Sequence, residues 1–303
     1  MSNLTNHEHN FRLDHVVILV TDLAAAMDDY AALGFSVIAG GEHAGGLSHN
    51  ALIPFQDGSY LELIAFKSKA ASDRGGPGDT VPTTMPELWA RFDRRRALGE
   101  GLVDFALAAH SLEAESDRAR RRGLNMSEPA QGGRIRPDGK ELRWLTALPP
   151  FFDLPFLIQD RTPRSLRVPE GLAAVHPNGA KGIVKVIIIT SDLEASVRRY
   201  DALMRSRSLE NPPGEAGAGG SPQPRGPRIS EAPQGVDYRL ENAILTLVSG
   251  DNRSDLAVTP APEADRPYSI TIVADHPGAI QATPALLHHA RIEFSESSQS
   301  ALL

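Results

Sequence analysis

"LDHVVILVTDLAAAMDDYAALGF" (residues 13–35) joins an apolar run to a short Thr-Asp turn and then to an amphipathic stretch closed by Gly34. The run "VVILV" is dense in β-branched residues, which suit a buried strand. Asp22 stands where a side-chain carboxylate can accept from the unpaired N–H groups of a helix start. Gly34 falls where a helix end wants a left-handed residue. The same design recurs as "LVDFALAAHSLEAESDRARRRGL" (102–124) and as "IVKVIIITSDLEASVRRYDALM" (183–204), with Ser111 and Asp192 as caps and Gly123 as a second helix stop. A strand and helix that return three times are an internal repeat, and a repeat decides architecture before any single residue does.

Each of the first two copies is followed by three more strand-like runs. After the first come "FSVIAG", "SHNALIPF" and "SYLELIAF"; after the second come "RIRPDG", "ELRWLTAL" and "LPFLIQD". Turn residues separate them, "QDG" and "PDG" among them. The unit is therefore β-α-β-β-β, at about 13–66 and 102–160. A third unit opens at 183 and regains strands in "VDYRLENAILTLVSG", and a fourth apolar run, "YSITIVAD", leads into an expected broken helix around "LLHHA". The stretches 67–86 and 211–227 are rich in Gly and Pro and read as poorly packed connections. A domain boundary is expected in "RTPRSLRVPEG", residues 161–171.

Composition narrows the function. The 303 residues suffice for two domains, and 41% hydrophobic with 23% charged is an ordinary globular mixture. A formal charge of −7 argues against a nucleic-acid binder, so "RFDRRR" and "RARRRG" read as solvated helix faces. With no cysteine, disulfides and thiolate chemistry are excluded, and a cytoplasmic location is the expectation. No run reaches the length of a membrane span, and the polar start "MSNLTNHEHNFR" does not resemble a signal peptide. His7 and His9 are assigned to a tail rather than to a metal site.

The segments "LDHVVILVTDL", "GGEHAGG", "NALIPFQDGSYLELIAF", "RPDGKELRW", "LPFLIQD" and "HPNGAKG" together resemble the vicinal oxygen chelate superfamily, in its glyoxalase-like branch. The resemblance covers about 1–205 well and the remainder weakly. It implies an α+β fold of repeated βαβββ units that form curved half-barrel sheets, arranged as two tandem vicinal-oxygen-chelate-like domains. The expected domains are 1–165, carrying the site, and 172–303, degenerate and with a mobile insertion near 211–235. It also implies a first-strand metal slot and a fourth-strand metal slot in each unit. Counting back from Leu23, Leu112 and Leu193 puts His15, Asp104 and Lys185 in the first slot, with Tyr268 in the looser fourth copy. Glu62, Phe156 and Thr246 occupy the second slot.

Only the first unit therefore holds two ligand-type residues, His15 and Glu62. An imidazole and a carboxylate suit Zn, Fe, Mn or Ni, and a catalytic site usually takes a third protein ligand. Asp104 or His43 is the expected third. His49 is chemically attractive, but its side of the strand is open, because Ser48, Asn50 and Leu52 share one face and His49, Ala51 and Ile53 the other. The branch pattern H-x-G-x-G-T-x-N matches "HAGGLSHN" at His43 and Asn50. Tyr60, Arg143, Trp144 and Phe156 join Asn50 as candidate substrate contacts. Each candidate has a structural reading beside the functional one: a core histidine, a solvent-facing Glu62, an ion-paired Arg143, a core Trp144. His176, His288 and His289 are assigned to structure.

Two functions follow. One is a divalent-metal-dependent lyase or isomerase acting on a hydroxy-carbonyl or enediolate-forming substrate, with Glu62 as ligand or general base. The other is a metal-free protein that binds or sequesters a small molecule in the same cleft. The expected partner is a small molecule, without nucleic acid or membrane, and the expected state is monomer or homodimer. True glyoxalase I and extradiol dioxygenase activities are disfavoured, because the second unit lacks their ligands.

Overall fold

The computed structural model describes residues 11–43, 46, 48–66, 91, 94, 96–97, 99–204, 235–250 and 265–296. The first unit runs β1 (Arg12–Leu19), α1 (Leu23–Ala32), β2 (Ile38–His43), β3 (Ser48–Pro54) and β4 (Tyr60–Phe66). The second runs β5 (Gly101–Ala108), α2 (Leu112–Arg121), β6 (Ala130–Ile135), β7 (Glu141–Ala147) and β8 (Phe156–Asp160). The expected caps form: Asp22 accepts from the N–H of Ala24 and Ala25, and Ser111 from that of Ala114. Gly34 and Gly123 both take positive φ, at 81° and 88°.

The two units close on each other. Their eight strands make one barrel in the order β1-β4-β3-β2-β6-β7-β8-β5, with β1 parallel to β4 and antiparallel to β5. The expected open half-barrel is thus corrected to a closed one. Alternation along β1 sends Val17 and Leu19 inward, where they meet Ile64, Ala106, Leu142 and Phe156. Val16 and Ile18 point outward into a larger core. Because both faces are buried, "VVILV" is continuously apolar instead of alternating.

That outer core reaches a second sheet without a break. It contains Leu13, Phe105 and Leu107 of the barrel together with Val186, Ile188, Ile270 and Ile272. The second sheet is built from β9 (Ala180–Thr190), β10 (Gly235–Arg239), β11 (Ile244–Ser249), β12 (Arg266–Ala274) and β13 (Ile292–Glu296), with α4 (Leu193–Met204) after β9. Its order is β10-β11-β9-β12-β13. Neighbours alternate antiparallel, parallel, antiparallel, parallel, which is also the sense of the barrel run β3-β4-β1-β5-β8. Asp192 caps α4 by accepting from Ala195. Asp153 ties α4 to the barrel, accepting from Ser196 at 2.6 Å and from Arg199 at 2.6 Å.

One more expectation needs correction. The "LLHHA" segment forms turns instead of a helix, and His288 and His289 take φ of 48° and 60°. One helical bond forms, from the Leu287 N–H to the Thr283 carbonyl, before the left-handed His288 and His289 end it. The stretch 161–171, read as a domain boundary, lies between β8, the last barrel strand, and β9, the first strand of the second sheet. It is packed, since its short helix α3 (Arg164–Arg167) is followed by Val168, and Arg167 and Val168 are 3% and 2% exposed. The two stretches read as loosely packed connections, 67–86 and most of 211–235, lie outside the described residues, as do His7 and His9. Among the described residues no helix is long and apolar enough to cross a membrane.

The barrel closes between units through a short seam. β2 pairs with β6 at Glu42–Ile135 and His43–Arg134. Beside that seam Gly41 has φ of +127°, and a Cβ placed there would lie 2.1 Å from the carbonyl oxygen of Ile135. Gly139 has φ of +78° with nothing within 4 Å. Gly41→Ala should therefore cost about 2 kcal/mol or more, whereas Gly139→Ala pays only backbone strain of about 1 kcal/mol. Urea unfolding of the two variants checks this; equal losses would mean that the seam is not under that contact.

Candidate functional site

A β-bulge shapes the first-strand slot. The β1–β5 register shifts between Leu13 and His15, so Asp14 is the extra residue, fully buried beside the histidine. His15 faces inward, 2% exposed, with its ring stacked on Tyr60 at 4.6 Å and edge-on to Phe156 at 5.5 Å. Its Nδ1 lies 2.7 Å from Asp14 Oδ1, which fixes the ring and leaves Nε2 turned toward Glu62 Oε2 at 3.4 Å.

Glu62 is the centre of the arrangement. Parallel pairing of β1 and β4 sets it opposite Val17, and β3–β4 pairing sets it opposite Leu52. Asn50 donates from Nδ2 to Glu62 Oε1 at 2.5 Å, and His43 Nε2 stands 3.5 Å from the same oxygen. His43 is oriented in turn by Ser48, whose Oγ lies 2.9 Å from Nδ1. Trp144 closes the wall, its ring 6.2 Å from that of His43. Since Asn50 reaches Glu62, the Ser48–Asn50–Leu52 face of β3 is the inner one. His49 shares the opposite face with Ala51 and Ile53, which belong to the outer core.

The charges explain why a carboxylate survives here. Burial alone pushes the Glu62 pKa up, but bonding from His43, the fields of His15 and His43 and the Asn50 amide bring it down to about 2. Asp14 is likewise penalised by burial, yet Arg167 and Arg164, with the bond to His15, hold it well below the usual carboxylate range. Arg167 donates to both Asp14 oxygens at 2.9 and 3.0 Å, to Tyr60 Oη at 2.8 Å and to Asp160 at 2.5 Å. Burial raises the Tyr60 pKa, so its phenol stays protonated.

The remaining candidates divide. Phe156 and Trp144 face the interior with His15 and His43. Asp104 does not join Glu62: Arg91 grips it through two bonds of 2.6 and 2.9 Å, and the Phe105 N–H donates to it as well. Its expected role as third metal ligand is corrected to that of a buried counter-ion. Arg143 points outward and pairs with exposed Glu141, because in β7 Leu142 and Trp144 take the inner face. Its substrate-contact role is corrected too. Arg134, the one buried side chain of β6, was missed; it donates to Asn50 Oδ1 at 2.9 Å. The alternation of Arg134, Ile135 and Arg136 after "GG" was its only sequence signal.

A metal would need donors converging on one point. His15 and His43 approach different oxygens of Glu62, Oε2 and Oε1, and among the described residues no group of three or more His, Asp and Glu could hold an ion. The arrangement does not fit a three-ligand metal site.

Glu62 gains stability from being ionised in the fold, with its pKa below the ordinary value of 4.5. That gain is complete above about pH 5 and is lost as pH falls toward 2. Glu62→Gln should therefore show a shallower acid limb of stability than the parent, by about 2 kcal/mol between pH 5 and 2.5. Thermal melts at those pH values read it out, and parallel curves would contradict the buried ionised carboxylate.

Comparison with known proteins gives the family. A model described as a glyoxalase-like domain matches residues 13–204, which spans both barrel units, β9 and α4. No curated protein sequence matches significantly. Among solved structures, a hypothetical protein from Staphylococcus aureus aligns over 94% of this chain and 99% of its own with a TM-score of 0.62 at 15% identity, a likeness of fold. A mutant of 4-hydroxymandelate synthase from Streptomyces coelicolor aligns over 88% of this chain and 72% of its own, at 15% identity and a TM-score of 0.47. A xylose isomerase-like TIM barrel/4-hydroxyphenylpyruvate dioxygenase fusion protein aligns over 87% and 36%, at 13% identity and 0.45. The match over most of its length, on a barrel made of two βαβββ units, means that the chain belongs to the glyoxalase-like domain family of the vicinal oxygen chelate superfamily.

Proposed function

We propose that this chain is a small-molecule enzyme of lyase or isomerase type, acting on a hydroxy-carbonyl substrate that passes through an enediolate. One observation carries the reading: a carboxylate is buried between two imidazole Nε2 atoms inside the barrel. Both carboxylate oxygens are already engaged, Oε1 by Asn50 and His43 and Oε2 by His15, so the general-base role expected of Glu62 moves to a histidine. His43 is the better placed, since its side chain is 17% exposed while that of His15 is 3% exposed.

The step is a proton transfer. His43 takes the proton from the carbon beside the carbonyl, and the C–H electron pair moves into the carbonyl to form the enediolate. The proton of the adjacent hydroxyl passes to the former carbonyl oxygen, and the imidazolium returns its proton to the former carbonyl carbon, giving the isomer with no net redox change. Glu62 stabilises the imidazolium while it exists. His15, fixed by Asp14, holds the other carboxylate oxygen, and Tyr60, Phe156 and Trp144 wall the site. A divalent ion such as Zn, Mn, Fe or Ni would have His15 and Glu62 as donors but no third at the same point, and no step is written through it. The second sheet reads as a degenerate copy of the first domain, with Lys185 and Thr246 in the positions of His15 and Glu62. Such an enzyme acts in the cytoplasm on a small metabolite, as a monomer or homodimer. The alternative is a metal-free binding protein, supported by the aromatic wall and by a Glu62 whose contacts are already made.

Exchange in D2O separates the two. The chelator-treated protein should exchange the α-protons of hydroxyacetone, followed by proton NMR. His43→Ala should slow exchange by about 100-fold, and Arg143→Gln should leave it unchanged. Saturation transfer from protein to hydroxyacetone without exchange would favour the binding protein. Exchange that returns only with added Zn or Mn, together with stoichiometric metal by elemental analysis, would overturn the metal-independent route.

A further inference from the structure

Among the described residues, one buried guanidinium of the barrel has no carboxylate within ion-pair distance. Arg91, Arg134 and Arg167 are all at most 4% exposed. Arg91 is paired with Asp104, and Arg167 with Asp14 and Asp160. Arg134 forms no ion pair among the described residues; its acceptors are Asn50 Oδ1 at 2.9 Å and the Arg167 carbonyl at 3.0 Å, both neutral. Its Nε is buried with no acceptor among the described residues. Burying a guanidinium is costly unless a negative charge answers it. Burial also pulls its pKa down, with Tyr60 and Glu62 opposing that and Arg167 and Arg136 adding to it.

The surroundings are built around this side chain. A Cβ on Gly40 would fall 2.5 Å from Arg134 Nη1 and 2.0 Å from Asn50 Oδ1, so only glycine leaves room for the pair. Arg134 is the β6 partner of His43 across the seam, an antiparallel spacing of about 5 Å between Cα atoms. Asn50 links the guanidinium to Glu62 directly, donating to one and accepting from the other.

We infer that Arg134 is an anion-binding residue, and that the substrate is a small carboxylate of the α-hydroxy- or α-keto-acid class, one carboxylate oxygen taking the Nε–H. The inference rests on the proposed function for the reacting end, where His43 would take the C–H proton of the α-carbon in a hydroxy acid or of the carbon beyond the carbonyl in a keto acid. The binding end stands on Arg134 alone. A charge-assisted bond of this kind is worth a factor of about ten or more in affinity.

Calorimetric titration with pyruvate, lactate and the neutral analogue hydroxyacetone tests it. The parent protein should bind the two anions at least about tenfold more tightly than hydroxyacetone. Arg134→Lys, which keeps the charge but loses the Nε–H, should erase most of that preference, and Arg143→Gln should keep it. Equal binding of anions and hydroxyacetone by the parent overturns the inference without needing any variant to fold, as does a folded Arg134→Lys with parental affinity. Proton exchange on hydroxyacetone with no anion preference would sink this inference and leave the proposed function standing. Arg134-dependent anion binding without exchange would do the reverse.

Discussion

One buried carboxylate, Glu62, governs the organisation of the barrel interior. Glu62 stays charged only because His15, His43 and Asn50 surround it. Each of those groups is pinned by a further partner. Asp14 orients His15, Ser48 orients His43, and Arg134 orients Asn50. Asp14 in turn needs Arg167 and Arg164, which draws the segment after β8 across the barrel. The packing of residues 164–168 therefore follows from an electrostatic requirement that begins on β4.

The architecture was readable because it rests on local chemistry. Strand runs, the caps Asp22, Ser111 and Asp192, and the left-handed glycines Gly34 and Gly123 each follow from a few adjacent residues. The two-residue slot, His15 with Glu62, was legible for the same reason, since a polar group in an apolar strand stands out at once. Asn50 and His43 were reached through the family pattern, and both meet Glu62.

What escaped was pairing at long range. Asp104 looked like a ligand because it occupies the equivalent of the His15 position. Its partner Arg91 sits in a charged stretch that reads as a solvated helix face. Arg143 and Arg134 are both arginines on neighbouring strands of one hairpin, β6 and β7. Only the pleat, set by which residues of β7 are inward, decides that Arg134 is inside and Arg143 outside. Barrel closure escaped too, because nothing in either unit alone says that β2 will meet β6.

The continuous outer core has a consequence for how this chain is inherited as a unit. Val16, Ile18, Phe105 and Leu107 share one buried core with Val186, Ile188, Ile270 and Ile272 of the second sheet. A barrel cut free after β8 would present that apolar face to water and invite association. The half that carries the candidate site and the half whose slots hold Lys185 and Thr246 accordingly share one core. The second persists as the permanent neighbour that a solitary barrel would otherwise have to find in another copy of itself.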